Sequence, residues 1–172
     1  MSIDQDDLFP WKSELDAIVA ARAQGRAESI PGLLKALDER YPNVPEISYQ
    51  LAWSLDTAGS YQEALPYYEK AVALGLSTNE LSGALIGLGT TLRNLGQYDR
   101  ASEVLKLGQT RFPDHREFDV FLAFCLHDLG KHVEAMQLIL TVLADTSEDT
   151  GITVYQRAIR FYADKLLSAA RT

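Results

Sequence analysis

"LGQYDRA", residues 95–101, lies between two stretches whose leucines recur at helical spacing, and it has two near-copies in "AGSYQEA" at 58–64 and "LGKHVEA" at 129–135. Each holds a Gly, an aromatic residue or His two places on, and an Ala three further. The interval from Gly96 to Gly130 equals the interval from Gly59 back to Gly25 in "AQGRA"; only the step from Gly59 to Gly96 is longer, by three. Self-similarity at a fixed period of about 34 residues marks a repeat architecture. With the Gly at position 15, the repeats begin at Trp11, Pro45, Ser82 and Arg116.

The register holds along the repeat. Position 7 carries Ala17, Leu51, Leu88 and Leu122, and position 8 carries Ile18, Ala52, Gly89 and Ala123. Position 20 carries Ile30, Ala64, Ala101 and Ala135, position 24 carries Leu34, Tyr68, Leu105 and Ile139, and Pro42 and Pro113 share position 32. At 3.6 residues per turn, positions 4, 7, 8 and 11 share one helical face, and positions 17, 20, 24 and 27 share a face of a second helix. A Gly at 15 ends the first helix, small residues at 8 and 20 let the two backbones approach, and the Pro closes the second. Each repeat is therefore a helical hairpin, and "LGQYDRA" is its corner.

In these residues the sequence resembles the tetratricopeptide repeat family. The matches are Leu51, Ala52, Leu55, Gly59, Tyr61, Ala64, Tyr68 and Ala71 in repeat two; Leu85, Leu88, Gly89, Leu92, Gly96, Tyr98, Ala101, Leu105 and Pro113 in repeat three; and Leu122, Ala123, Leu126, Gly130, Ala135 and Ile139 in repeat four. Repeat one departs with Glu14 and Ala27, and repeat four has His132 in place of Tyr. The resemblance implies an all-α, right-handed α-solenoid of antiparallel hairpins with a C-terminal capping helix. Its units are expected at 11–44, 45–81, 82–115 and 116–149, after an acidic segment over 1–10 and before a capping helix over about 150–171. That is nine helices, four pairs and a terminal one whose apolar face reads Tyr155, Ala158, Ile159, Tyr162 and Leu166. The three extra residues fall near "GLSTNEL", 75–81, where Ser77-x-x-Glu80 is a capping box that starts the next helix at about Thr78. Pro66 interrupts the hydrogen bonding of the second helix of repeat two.

Composition narrows the function. With 172 residues and 47% apolar content the chain can bury a core, and its net charge of −8 disfavours nucleic acid and anionic membranes. The lone Cys125 excludes an internal disulfide. No basic, apolar leader and no membrane-length apolar run is present, so a cytoplasmic protein is expected. "GLGTTLRNLG" at 87–96 completes neither a Walker nor a dinucleotide pattern. His115, His127 and His132 lack metalloprotease spacing and read as exposed side chains, Cys125 reads as a packed thiol, and Asp6–Asp7 and Glu148–Asp149 as helix-end acids. No enzyme, cofactor or metal is expected.

The family binds peptides or partner proteins in a concave groove lined by the first helices. The stripe at positions 2, 5, 9 and 12 of those helices holds Lys12, Leu15, Val19 and Arg22; Glu46, Tyr49, Trp53 and Asp56; Gly83, Ile86, Thr90 and Arg93; and Glu117, Val120, Phe124 and His127. From it Tyr49, Trp53, Ile86, Thr90, Val120 and Phe124 are expected to form the groove floor, with Arg22, Arg93 and His127 at its polar margin. They either fill space between first helices or receive an apolar peptide. Position 5 holds Leu15, Tyr49, Ile86 and Val120 instead of the Lys and Asn of chaperone-binding members, which argues against a carboxylate clamp. A protein or peptide partner is expected; the alternative is a homodimer or larger homo-oligomer formed through the groove or through the terminal helix with Phe161 and Leu167.

Overall fold

The computed structural model describes residues 9–24 and 29–169, and among these the chain is all helix and loop, with no strand. Ten helices follow in order: α1 (Lys12–Ala23), α2 (Ile30–Arg40), α3 (Pro45–Thr57), α4 (Tyr61–Leu74), α5 (Thr78–Asn94), α6 (Tyr98–Arg111), α7 (Glu117–Asp128), α8 (His132–Thr146), α9 (Thr150–Val154) and α10 (Gln156–Ala169). The chain divides into two compact units, Met1–Thr91 and Leu92–Thr172. In the first, α2 packs on α3 and α3 on α4; in the second, α7 packs on α6 and α8, and α10 on α8.

The corners form as their sequence requires. Gly59, Gly96 and Gly130 have φ of 78°, 74° and 74°, a region that side chains with a Cβ avoid. At each, the Gly amide and the amide after it fold back onto the helix just ended: Ser60 donates to the Leu55 carbonyl, Gln97 to Leu92 and Lys131 to Leu126, at 2.9, 2.9 and 2.8 Å. This closes three helices with the same Schellman bond. Gly25 and Ala27, most of the acidic N-terminal segment and the Leu167 side chain lie outside the described residues. At the start of α5 the Ser77 hydroxyl donates to the Glu80 carboxylate at 2.7 Å, and the helix begins at Thr78 as the capping box predicts. Pro66 sits inside α4 without ending it; both it and Gln62, whose carbonyl loses a donor, are exposed, so solvent can satisfy that carbonyl.

Burial follows the repeat register in repeats two to four except at position 24 of repeat four, where Ile139, expected to pack, is 37% exposed because it lines an open apolar cleft. Leu51, Ala52, Leu85, Leu88, Leu122 and Ala123 on first helices, and Ala64, Tyr68, Ala101, Leu105 and Ala135 on second helices, are all buried. Gly87 and Gly108, outside the corners, each allow an especially close approach. A Cβ on Gly87 would lie 2.4 Å from the Tyr68 ring, and one on Gly108 would lie 2.0 Å from Phe118. The core also holds a polar contact in each unit. Lys70 and Ser48 both donate to the Asp38 carboxylate at 2.8 Å, and Arg116 donates to Asp119 at 2.9 Å.

Three expectations are corrected. In α1, Leu15 of the groove stripe is buried with Ile18, while Ala17 of the packing stripe is exposed. The helix rolls because burying a leucine removes far more apolar surface from water than burying an alanine. The terminal segment is two helices, so the described residues hold ten and not nine. Asp149 caps α9 by accepting from the Ile152 amide at 3.1 Å, and the chain breaks at Tyr155 before α10. That break shifts the wheel: Tyr155, Ala158 and Tyr162 are exposed, and the face turned inward runs through Ile159, Ala163 and Leu166.

Candidate partner-binding site

Of the expected site residues, Arg22, Tyr49 and Trp53 come together in the first unit and Arg93 and Phe124 in the second. In the first unit α1 carries Arg22 to α3. Its guanidinium carbon lies 4.0 Å from the centroid of the Trp53 ring, and its two terminal nitrogens donate to Gln50 Oε1 at 2.7 Å and Ser54 Oγ at 3.2 Å. Trp53 remains 45% exposed beneath it. Partial burial pulls the guanidinium below its usual pKa, opposed by the Tyr49 and Tyr68 phenols, yet an arginine stays charged at neutral pH. The contact is a cation–π pair with the fork pinned by hydrogen bonds to Gln50 and Ser54.

Tyr49 stacks on Trp53 at 6.4 Å, and also tilts against Tyr68 at 6.3 Å. Its hydroxyl occupies the space a Cβ on Gly83 would need. Half-buried, with its phenol pKa raised by burial, Tyr49 fills the junction with α5 and props the indole. Trp53 is the part of the pair open to solvent. Asp56, one turn further on α3, accepts from the Tyr68 hydroxyl at 3.3 Å; burial raises its carboxyl pKa and that hydrogen bond opposes the rise.

In the second unit Arg93 lies over Phe124, with its guanidinium carbon 5.2 Å from the ring centroid and its Nε donating to Asp128 at 2.5 Å. Phe124 is 48% exposed, almost the value for Trp53. His127 is exposed and its ring meets that of His132 at the α7–α8 corner, Nδ1 to Nδ1 at 3.1 Å. Ile86, Thr90 and Val120 lie half-buried on their helices, and the Thr90 hydroxyl is spent on the Ile86 and Gly87 carbonyls of its own turn. Arg22 and Arg93 thus cover aromatic faces, where the sequence places them at a margin.

The two clusters are one device used twice: the interval from Arg22 to Arg93 equals the interval from Trp53 to Phe124. The echo extends well beyond them. At the same interval "RYPNVPE" at 40–46 aligns with "RFPDHRE" at 111–117, and "LAWSL" at 51–55 with "LAFCL" at 122–126. The backbone agrees: Tyr41 leaves α2 with φ −130° and ψ 67°, and Phe112 leaves α6 with φ −131° and ψ 68°. Repeats one and two are therefore echoed as a pair by repeats three and four. Comparing single repeats hides this, because Arg22 then falls against Asp56; comparing repeats two at a time brings it out.

Cys125 is buried and its thiol pKa is raised by that burial, opposed by Arg93 and assisted by Asp128. No group of three or more metal-ligating side chains occurs among the described residues, and no helix among them is long and apolar enough to cross a membrane.

Comparison with known proteins agrees with the architecture. Among solved structures the chain is similar to MamA RS-1, as the ArsTM double mutant, at 19% identity and a TM-score of 0.70, covering 94% of this chain and 89% of that one. It is similar to the yeast Tom70 at 18% identity and TM-score 0.66, covering 96% of this chain and 35% of that one. Cut9 in the APC/C hetero-tetramer Cut9–Hcn1 matches at 16% and 0.67, over 84% and 29%. No curated protein matches the sequence. The profile of the tetratrico peptide repeat matches residues 45–166, most of the chain. With three Schellman corners in the same register, the chain belongs to the tetratricopeptide repeat family.

Proposed function

We propose that this protein is a non-catalytic cytoplasmic adaptor that binds a peptide or partner protein on the first-helix faces of its repeats. The observation that carries the reading is the exposed indole of Trp53 under a pinned Arg22, repeated as Phe124 under Arg93. A large aromatic held half in water by a fixed cation is costly to leave uncovered, and aromatic residues with arginine are where interfaces concentrate their energy. Ile86, Val120 and Thr90 supply the apolar and neutral surroundings, and the net charge of −8 keeps nucleic acid from competing. Capture of partners from native extract tests it. Trp53→Ala is expected to weaken capture by about 2 kcal/mol or more while leaving the melting temperature within a few degrees. Intact capture by that variant refutes the reading.

A second reading is self-association, favoured by α10, where Phe161 and Tyr162 are 54% and 64% exposed. Sedimentation of the wild type against Phe161→Glu separates the two: a dimer lost on substitution supports self-association, and a monomer in both excludes it.

A further inference from the structure

Positions 12 and 17 of a repeat flank the corner glycine, one at the end of the first helix and one at the start of the second. In repeat two those positions hold Asp56 and Tyr61, in repeat three Arg93 and Tyr98, and in repeat four His127 and His132. Of these three corners, the last alone sets one imidazole against another. The two Nδ1 atoms are 3.1 Å apart, the ring centroids 4.5 Å apart and the ring planes inclined at 54°. Both side chains are exposed, so ions reach them from solvent.

We propose that His127 and His132 form a two-imidazole chelate for a borderline divalent transition-metal ion, with Cu²⁺ held most tightly. The spacing carries this. A metal bound at about 2.05 Å to each nitrogen, with the nitrogens 3.1 Å apart, subtends roughly 98° at the ion. That lies between the right angle of a square-planar site and the tetrahedral angle, so neither geometry demands a large movement of the rings. The nitrogens already sit at hydrogen-bond distance. Coordination through both Nδ1 atoms requires the Nε2–H tautomer of each ring. Imidazole pairs without thiolate or carboxylate follow the order in which Cu²⁺ exceeds Ni²⁺ and Zn²⁺. Two ligands leave coordination positions open, and they border a cleft of about 460 Å³ lined by Phe124, Ala135, Met136 and Ile139. A metal here would add a polar anchor to that apolar cleft beside the Arg93–Phe124 pair.

The test titrates the full chain with CuCl₂, NiCl₂ and ZnCl₂ at neutral pH by calorimetry, with electron paramagnetic resonance of the copper adduct. One site is expected, with nitrogen hyperfine structure from two imidazoles. His132→Tyr places the residue that fills this position in repeats two and three, and His127→Gln removes the other ligand. Each should weaken copper binding by roughly tenfold or more, since a chelate becomes a single ligand. His115→Gln should change nothing. Copper binding of equal strength in both corner variants, or a copper spectrum without two imidazole nitrogens, overturns the proposal. So does a complete absence of binding by the wild type.

Discussion

Adding one methyl group at Gly108 should do more harm than its size suggests. Gly108 is buried on α6, and a Cβ there would lie 2.0 Å from Cε1 and 2.2 Å from Cδ1 of Phe118. The ring has no room to retreat: Phe118 is fully buried and stacks on Phe112 at 5.9 Å with planes 8° apart. The helix gains about 1 kcal/mol in propensity when Gly becomes Ala. Overpacking a filled core costs about 1–3 kcal/mol, and an obstruction well inside van der Waals contact belongs at the upper end. The net loss is then about 1–2 kcal/mol, a fall in melting temperature of roughly 2–8 °C for a chain of this size. Gly32→Ala is the control, since that glycine lies within α2 and a Cβ on it meets nothing within 4 Å. It should keep the propensity gain and melt about 2–4 °C higher. Phe118→Leu should lower the stability of the wild type, yet recover part of what Gly108→Ala loses, giving a coupling of opposite sign in a double-mutant cycle. A Gly108→Ala protein that melts at or above the wild type would refute the close-approach argument.

Gly59→Ala places a Cβ in open space at φ 78°, so it should lose about 1 kcal/mol from backbone strain alone, read from urea unfolding. Lys70→Met leaves the Asp38 carboxylate with only Ser48 as donor in a nearly buried setting, and should cost about 1–3 kcal/mol in the same assay. Asp56 is raised chiefly by burial, so its protonated form is the one folding favours. Its contribution is full below about pH 4 and is lost as pH rises through the raised folded value. Asn at this position still accepts from Tyr68 and does not titrate. The stability of the wild type relative to Asp56→Asn should therefore fall as pH rises above about 4, measured by thermal melts across the range; a constant difference would show that Asp56 does not titrate with folding.

The hairpins were legible because their signals are local. A glycine free to turn, small residues at helix crossings and leucines at helical spacing act within one repeat, and the structure follows them at Gly59, Gly96 and Gly130. Legibility failed where a choice depended on a neighbour's size or on a break. Leu15 displaced Ala17 from the core because a larger group was available one helical stripe away. Tyr155 and Tyr162 turned outward because α9 ended at Tyr155, and amphipathic spacing read through a break gives the wrong face. Of the site, the helical wheel placed Trp53 and Phe124 on one stripe away from the packing positions, but which cation covers each ring depends on an earlier helix crossing over, beyond what one wheel can reveal. The histidine pair escaped for a related reason. Their separation along the chain has no helical meaning, and only the corner between His127 and His132 turns it into a contact.

The echo between the two halves makes a pair of repeats, and not one, the heritable piece of this chain. Features that no single repeat requires, such as the matching exits at Tyr41 and Phe112 and the arginine lent by one hairpin to the next, recur only at the double interval. A hairpin excised alone would lose its arginine or its aromatic ring, whereas a pair carries both. A cut after every second repeat, near residue 81, therefore preserves the crossing contacts, whereas a cut within 40–46 or 111–117 separates each arginine from its ring. The halves agree at the joints and differ at the side chains: Trp53 corresponds to Phe124, and Asp56 and Tyr61 correspond to His127 and His132. Equivalent positions on like backbones thus offer different chemistry in the two halves.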